Sequence, residues 1–226
     1  MKENNNDISK AIDKLIFRKG EIIIEEIIEQ SFRLLCNKLA YGGLKAENEI
    51  AFQCELGIML KTLGQLYEFE NDDKFQIDFE TIVSLDKETI KSKTKNARID
   101  ILIIYTLNGK ITKAAIELKF FKKKNNREPN NRYDVFKDIS NLEQYKANDI
   151  DICYFILVTD HEHYVNKQDY SNDTADFDFR HGSTYKAGTV LSYRTKKPYG
   201  PDLKLMQDYE FRWGNVQNLY FLKLKV

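Results

Sequence analysis

A short hairpin signal constrains the fold of this chain more than any other feature. Asn108-Gly109 stands between two β-rich segments, ARIDILIIY at 97–105 and ITKAAIELKF at 111–120. Asn-Gly is strongly favoured in two-residue hairpin loops, which need a positive φ at both positions. Such a loop sets Leu107 opposite Lys110, and the residue numbers of all later partners then sum to 217. The sequence therefore predicts a hairpin with one defined register.

This register brings two acidic side chains face to face, because Asp100 falls opposite Glu117. Carboxylates on directly opposed strand positions, roughly 5 Å apart at Cβ, repel each other unless a positive charge compensates. Lys119 shares the face of Glu117, since residues two apart on a strand point the same way. Hard oxygen ligands of this kind suit Mg²⁺, which keeps several waters and uses one or two carboxylates. The same register predicts apolar pairs around the carboxylates: Ile101 with Ile116, Ile103 with Ala114 and Ile99 with Leu118 on one face, and Leu102 with Ala115 on the other.

Asp100, followed sixteen residues later by Ile116-Glu117-Leu118-Lys119, resembles the D…(D/E)-x-K signature of the PD-(D/E)XK, or restriction-endonuclease-like, nucleases. The resemblance covers roughly residues 47–160, and Ile99 stands where that family often has proline. It implies that Asp100, Glu117 and the Leu118 carbonyl bind the metal, and that Lys119 is the catalytic lysine. A glutamate of the first core helix often completes such a site, and either Glu49 or Glu55 could reach the sheet from its helix edge.

Hydrophobic spacing predicts the remaining elements. Helices are expected at 7–39, 47–66 and 133–147, strands at 75–82 and 153–160, and loops at 87–96, 122–132 and 161–188. Short strands are expected at 189–195, 208–213 and 219–225. The predicted fold class is α/β, with a restriction-endonuclease-like core in which helices flank a central mixed β-sheet in the order αβββαβ. We expect a single domain made of an N-terminal helical extension at 1–44, a catalytic core at 45–160 and a β-rich C-terminal extension at 161–226.

The function implied by this resemblance is a Mg²⁺-dependent endodeoxyribonuclease, a restriction or related defence enzyme, in which Mn²⁺ can substitute. DNA is the expected partner, and the basic loop residues Lys122, Lys123, Lys124 and Arg127 are candidate phosphate contacts. The alternative is a non-catalytic nuclease-like domain that binds nucleic acid or a partner protein. Apolar spacing at 7–39 also raises the hypothesis of a homodimer, although burial of these helices within the chain explains the spacing equally well.

Composition limits where this chemistry is expected. Lys plus Arg and Asp plus Glu each number 35, so a nucleic-acid surface must be local. The cysteines at 36, 54 and 153 lie in apolar patterns and are predicted to be buried thiols in a reducing compartment. The polar N-terminus and the lack of a long apolar segment predict a cytoplasmic protein without membrane contact. No organic cofactor is expected.

Simpler interpretations stand beside these predictions. Asp100, Glu117 and Lys119 could form a structural salt-bridge cluster, and Glu49 or Glu55 could be solvated helix residues. The loop cations could likewise be merely solvated. The acidic and polar residues of the third predicted helix are expected at its surface: Asp138, Glu143, Gln144 and Tyr145. Asp160-His161-Glu162-His163 is expected to be a surface loop rather than a zinc site, because a third ligand at a familiar spacing is missing.

Overall fold

The computed structural model describes residues 20–84, 96–125, 127, 129–166 and 171–226. Its helices are α1 (Gly20–Ala40), α2 (Glu49–Gln65), α3 (Asn130–Ala147) and the short α4 (His163–Asn166), with a 3₁₀ turn at Asn172–Thr174. The strands are β1 (Lys74–Ser84), β2 (Asn96–Leu107), β3 (Lys110–Phe121), β4 (Ile152–Thr159), β5 (Thr184–Tyr185), β6 (Val190–Leu191), β7 (Leu203–Lys204), β8 (Tyr209–Glu210), β9 (Trp213–Val216) and β10 (Leu219–Lys225). The order α2, β1, β2, β3, α3, β4 matches the predicted order of elements.

A six-stranded mixed sheet forms the centre of the molecule, in the order β1-β2-β3-β4-β10-β9. Only β3 and β4 run parallel, and the other neighbours are antiparallel. Helices α1 and α2 pack on one face around a cluster of isoleucine, leucine and aromatic side chains. Helix α3 and much of the C-terminal part cover the other face. The fold is therefore an α/β arrangement with a mixed sheet between two helical layers, and β4 is buried at every position.

The predicted hairpin is present in the predicted register. Asn108 and Gly109 have φ angles of 50° and 75°, as the two-residue loop requires. Partners run from Leu107 with Lys110 to Ile101 with Ile116. The Asn-Gly turn thus determined the pairing of β2 with β3 over seven residue pairs.

The ladder ends one pair before Asp100 and Glu117. Beyond Ile116, β3 stays paired with β4, and the Leu118 amide of β3 donates a hydrogen bond to the Asp100 carboxylate. The prediction that Ile99 faces Leu118 on one apolar face was wrong, because Ile99 packs in the α3-side cluster and Leu118 in the α1/α2-side cluster. The two-residue alternation of β2 is interrupted at Asp100, opposite the β1 position at which Glu80 has a positive φ of 52°.

The long N-terminal helix prediction is met in part. The described part of this helix is α1, which begins at Gly20, and the stretch 7–19 lies outside the described residues. Residues 87–95 of the predicted loop also lie outside them. Four of the five isoleucines of α1 are buried within the same chain, Ile23, Ile24, Ile27 and Ile28, whereas Ile22 is exposed. Burial within the chain therefore accounts for the spacing of these four residues, and the homodimer stays a hypothesis. Among the cysteines, Cys36 and Cys153 are buried as predicted, but the prediction was wrong for Cys54, which is exposed on α2.

The C-terminal extension adds strands to the sheet, as predicted. Strand β10 pairs with β4, and β9 pairs with β10. The stretch predicted as a loop at 161–188 includes α4 and β5, and its Phe177 and Phe179 are fully buried against α3. Helix α3 begins at Asn130, earlier than predicted, so the preceding loop is shorter. Within the described residues, no helix has the length and apolar character needed to cross a membrane.

Helix α2 lies unusually close to β1 because it presents two glycines to the strand. Gly57 and Gly64 are seven residues apart and therefore share a helix face. A Cβ at Gly57 would overlap the ring of Phe79, and one at Gly64 would overlap the ring of Phe75. The close approach carries the N-terminus of α2 to the end of the sheet where Asp100 lies.

Gly64→Ala should therefore destabilise the protein. Overpacking against the Phe75 ring costs about 1–3 kcal/mol and exceeds the gain of roughly 1 kcal/mol in helix propensity. Urea unfolding followed by circular dichroism measures the difference. Gly43→Ala is the control, because its Cβ would sit 3.7 Å from the nearest atom, and it should stay within about 0.5 kcal/mol of wild type. Equal stability of both variants would contradict the close approach.

Candidate functional site

Asp100 lies where β2 and β3 separate. Its carboxylate accepts a hydrogen bond from the Leu118 amide at 2.7 Å, and its carbonyl accepts one from the Gln53 side chain at 2.5 Å. Gln53 also donates to Glu80 at 3.1 Å. The carboxylate of Asp100 therefore takes the place of the next backbone acceptor on β2, and Gln53 on α2 binds the irregular β2 backbone and the Glu80 side chain of β1.

Glu117 is the most enclosed of the candidate carboxylates, with 4% of its surface exposed. Tyr145 on α3 donates a hydrogen bond to Glu117 at 3.0 Å. Burial raises the pKa of Glu117 well above its ordinary value, and the charges of Asp100 and Asp138 raise it further. Burial also raises the pKa of Asp100 to about 6, although Lys119 and the Leu118 amide oppose this shift. Both carboxyl groups thus occupy surroundings that disfavour their charged forms.

Lys119 is the cation at the centre of these groups. Its ammonium lies 2.6 Å from Asp138 and 3.9 Å from Glu49, and it donates to the Leu118 carbonyl at 2.9 Å. Burial by itself lowers the pKa of Lys119, but the surrounding carboxylates, led by Asp138, more than reverse this effect and raise the pKa. The lysine is therefore held in its charged form.

Of the two candidate helix glutamates, Glu49 contacts the other site residues. It begins α2, and its side chain accepts a hydrogen bond from the Phe120 amide at 3.3 Å in addition to its contact with Lys119. Glu55 is partly exposed, and no contact joins it to these groups in the described part of the chain. The tertiary structure thus separates two residues that the sequence left equivalent.

Sequence reasoning missed three residues of this cluster: Gln53, Asp138 and Tyr145. The prediction of a surface position was wrong for Asp138, Glu143 and Tyr145, which are buried, while Gln144 is partly exposed. The spacing held a usable signal, because Glu49 and Gln53 are four residues apart and Asp138 and Tyr145 are seven apart, so each pair shares a helix face.

Glu143 has a different role on the same helix. Its carboxylate accepts hydrogen bonds from the Met206 and Gln207 amides at 2.7 and 3.2 Å and from the Tyr209 hydroxyl at 2.7 Å. Burial raises its pKa. Glu143 therefore attaches α3 to the C-terminal extension rather than serving the cluster around Lys119.

The basic turn after β3 divides into two parts. Lys122 and Arg127 line a groove of about 350 Å³ that also contains Lys119 and Glu49. Lys123 and Lys124 are exposed outside this groove, and the Lys123 amide donates to Asp160 at 2.6 Å. Two of the four predicted phosphate contacts are thus brought next to the carboxylate cluster.

The atoms around Asp100 and Glu117 that could bind a cation are oxygen atoms of carboxylates and a carbonyl. Within the described ranges, no group of three or more His, Cys, Asp or Glu side chains converges in the manner of a metal site, including the Asp160–His163 stretch. A closed zinc site is therefore a poor match. The half-buried Asp100, the buried Glu117 and the neighbouring Leu118 carbonyl offer oxygen atoms, which are the ligands that a hard cation would take.

No family model, curated protein or solved structure matches the chain. Functional conclusions consequently depend on the contacts, burial and charges of the residues described above.

Stability should depend on pH through Asp100. Its folded-state pKa of about 6 lies above the ordinary value of 3.8, so unfolding becomes easier as pH rises through this interval. Without added divalent cations, Asp100 should lower the free energy of unfolding by on the order of 3 kcal/mol between about pH 4 and pH 7. Asp100→Asn can still accept the Leu118 hydrogen bond but cannot ionise. Urea unfolding across this range should therefore show a shallower decline for the variant, and identical slopes would contradict the assignment.

Proposed function

We propose that this chain is a divalent-cation-dependent endonuclease that hydrolyses phosphodiester bonds in DNA, as a restriction or related defence enzyme. The observation that carries the proposal is the pair formed by the half-buried Asp100 and the buried Glu117 beside Lys119, at the point where a hairpin opens. The order α2, β1, β2, β3, α3, β4 also agrees with the restriction-endonuclease-like core implied by the D…(D/E)-x-K resemblance.

Asp100 and Glu117 are the residues that would hold Mg²⁺ or Mn²⁺. The Leu118 carbonyl adjoins them and has a second lone pair besides the one that accepts the Lys119 hydrogen bond. Glu49 stands at the edge of the same cluster and could contribute through a water molecule. A divalent cation bound there would neutralise charge on a phosphate and lower the pKa of a water molecule.

Lys119 and its partners would supply the remaining chemistry. A lysine kept charged by Asp138 and Glu49 serves better as an electrostatic stabiliser of developing negative charge than as a base. Asp138 would act through Lys119 by fixing its ammonium, and Tyr145 would orient Glu117 through its hydrogen bond. Lys122 and Arg127 line the adjoining groove, where they would contact the phosphates of bound DNA.

Cleavage of plasmid and oligonucleotide DNA with Mg²⁺ or Mn²⁺ tests the proposal. Asp100→Asn, Glu117→Gln and Lys119→Met should each lower the cleavage rate about 100-fold or more, because each removes a charge needed in the transition state. EDTA should abolish cleavage by wild type.

Asp149→Asn is the matched control, because Asp149 is exposed and ion-paired with Lys113 on another part of the surface. Asparagine also tolerates its φ of 69°. Its activity should equal that of wild type. Equal activity of Asp100→Asn and wild type would remove the proposed site.

The second candidate function is a non-catalytic domain that binds nucleic acid or a partner protein. It is favoured by the lysine itself, since the Lys119 ammonium already lies beside Asp138, Glu49 and the Leu118 carbonyl and can serve as an internal counter-ion. The cluster would then be a structural salt-bridge network.

Calorimetric titration with Mn²⁺ separates the two candidates. The nuclease should bind Mn²⁺, and Glu117→Gln should weaken that binding at least tenfold, because a neutral amide is a poorer ligand for a hard cation. A binding module has no need of the cation. Heat that is equal for wild type and Glu117→Gln would therefore favour the non-catalytic alternative.

A further inference from the structure

The C-terminal extension contributes an aromatic side chain to the groove beside Lys119. Tyr199 lines this groove together with Lys122 and Arg127, although it lies far from them in the sequence. Tyr199 is 45% exposed. The ring therefore presents free surface to whatever enters the groove.

The position of Tyr199 is fixed by its own strap, residues 195–202. The Tyr133 hydroxyl on α3 donates to the Pro201 carbonyl at 2.9 Å, and a Cβ at Gly200 would overlap the same tyrosine ring. Tyr199 packs edge-on against Tyr133 with ring centroids 5.5 Å apart, and its hydroxyl lies 3.5 Å from Asp134. The exposed ring is thus held by packing rather than left free in a loop.

The charges of the groove complement a polyanion. Among the described residues, Lys119, Lys122, Arg127 and Lys137 line it together with two carboxylates, Glu49 and Asp134, in a chain whose overall charge is zero. Lys119 and Lys137 have carboxylate partners, whereas none lies within ion-pair distance of Lys122 or Arg127 in the ranges described. The local excess of positive charge therefore includes side chains that can contact phosphate.

We propose that Tyr199 is a stacking platform for a nucleobase, and that the groove takes DNA as a single strand. A cationic channel combined with an exposed aromatic ring is the chemistry by which proteins bind single strands. Bases inside a duplex have both faces covered by neighbouring bases, so only an unpaired or extruded base can stack on Tyr199. This inference rests on the proposed function for the site beside it and specifies its substrate class.

Fluorescence anisotropy with a labelled single-stranded DNA oligonucleotide and its blunt duplex tests the proposal, in EDTA so that nothing is cut. Wild type should bind the single strand about tenfold more tightly than the duplex, and Tyr199→Ala should lose about that factor for the single strand alone. Tyr199→Phe should bind like wild type. Tyr199→Leu retains bulk against Tyr133 without an aromatic face and should behave like Tyr199→Ala, and an unchanged affinity of both variants for the duplex shows that they are folded.

Phe69→Ala is the control, because Phe69 is an exposed aromatic residue in the turn between α2 and β1, outside the groove. It should not change either affinity. Equal affinity of wild type for the two DNA forms, or equal binding by Tyr199→Leu and Tyr199→Phe, would overturn the stacking proposal. Cleavage of DNA with Mn²⁺ by a protein that fails this binding test would leave the nuclease proposal intact. Selective binding without any cleavage would overturn the nuclease proposal alone.

Discussion

The enclosure of Lys119 among carboxylates is the interaction on which the arrangement of this protein depends. A buried ammonium and a buried carboxylate are each costly alone, so the elements that carry them must meet. Lys119 comes from β3, Glu49 from the start of α2 and Asp138 from the middle of α3. One side chain therefore ties together the sheet and the helices on both of its faces. Removing any one of these charges would leave the others unbalanced.

The opening of the hairpin makes room for this cluster. Regular pairing would direct the β2 and β3 backbones at each other, and Asp100 would then have no access to the Leu118 amide. At the interruption, Glu80 has a positive φ and Gln53 donates hydrogen bonds to the Glu80 side chain on β1 and the Asp100 carbonyl on β2. The Leu118 amide then donates to the Asp100 carboxylate instead of to a backbone carbonyl of β2. Local backbone irregularity of this kind is maintained only where surrounding contacts determine it. Here the supporting contact comes from α2, which the paired glycines bring close to the sheet.

The C-terminal extension is part of the same structure in two respects. Its strands β10 and β9 complete the sheet beside β4, and Glu143 binds its backbone to α3. Its strap delivers Tyr199 to the groove that begins at Lys119. A chain with no net charge consequently has a locally cationic groove, because Lys119, Lys122, Arg127 and Lys137 line it beside two carboxylates of the described residues, Glu49 and Asp134.

The sequence by itself determined the local structure and the central residues of the site. Asn108-Gly109 set the hairpin register, the apolar spacing predicted strand β4, and the proximity of Asp100, Glu117 and Lys119 followed from this register and a period of two residues. Tertiary structure alone showed that Glu49 rather than Glu55 contacts Lys119, and that Asp138 and Tyr145 are buried. It also placed Tyr199 at the groove. The physical reason is range: turn chemistry and strand alternation act between neighbours in the chain, whereas the partner of a charge on a helix is known only once the helix has packed. Tertiary structure also decided the break in alternation at Asp100, because this break depends on Gln53 of α2 and Glu80 of β1.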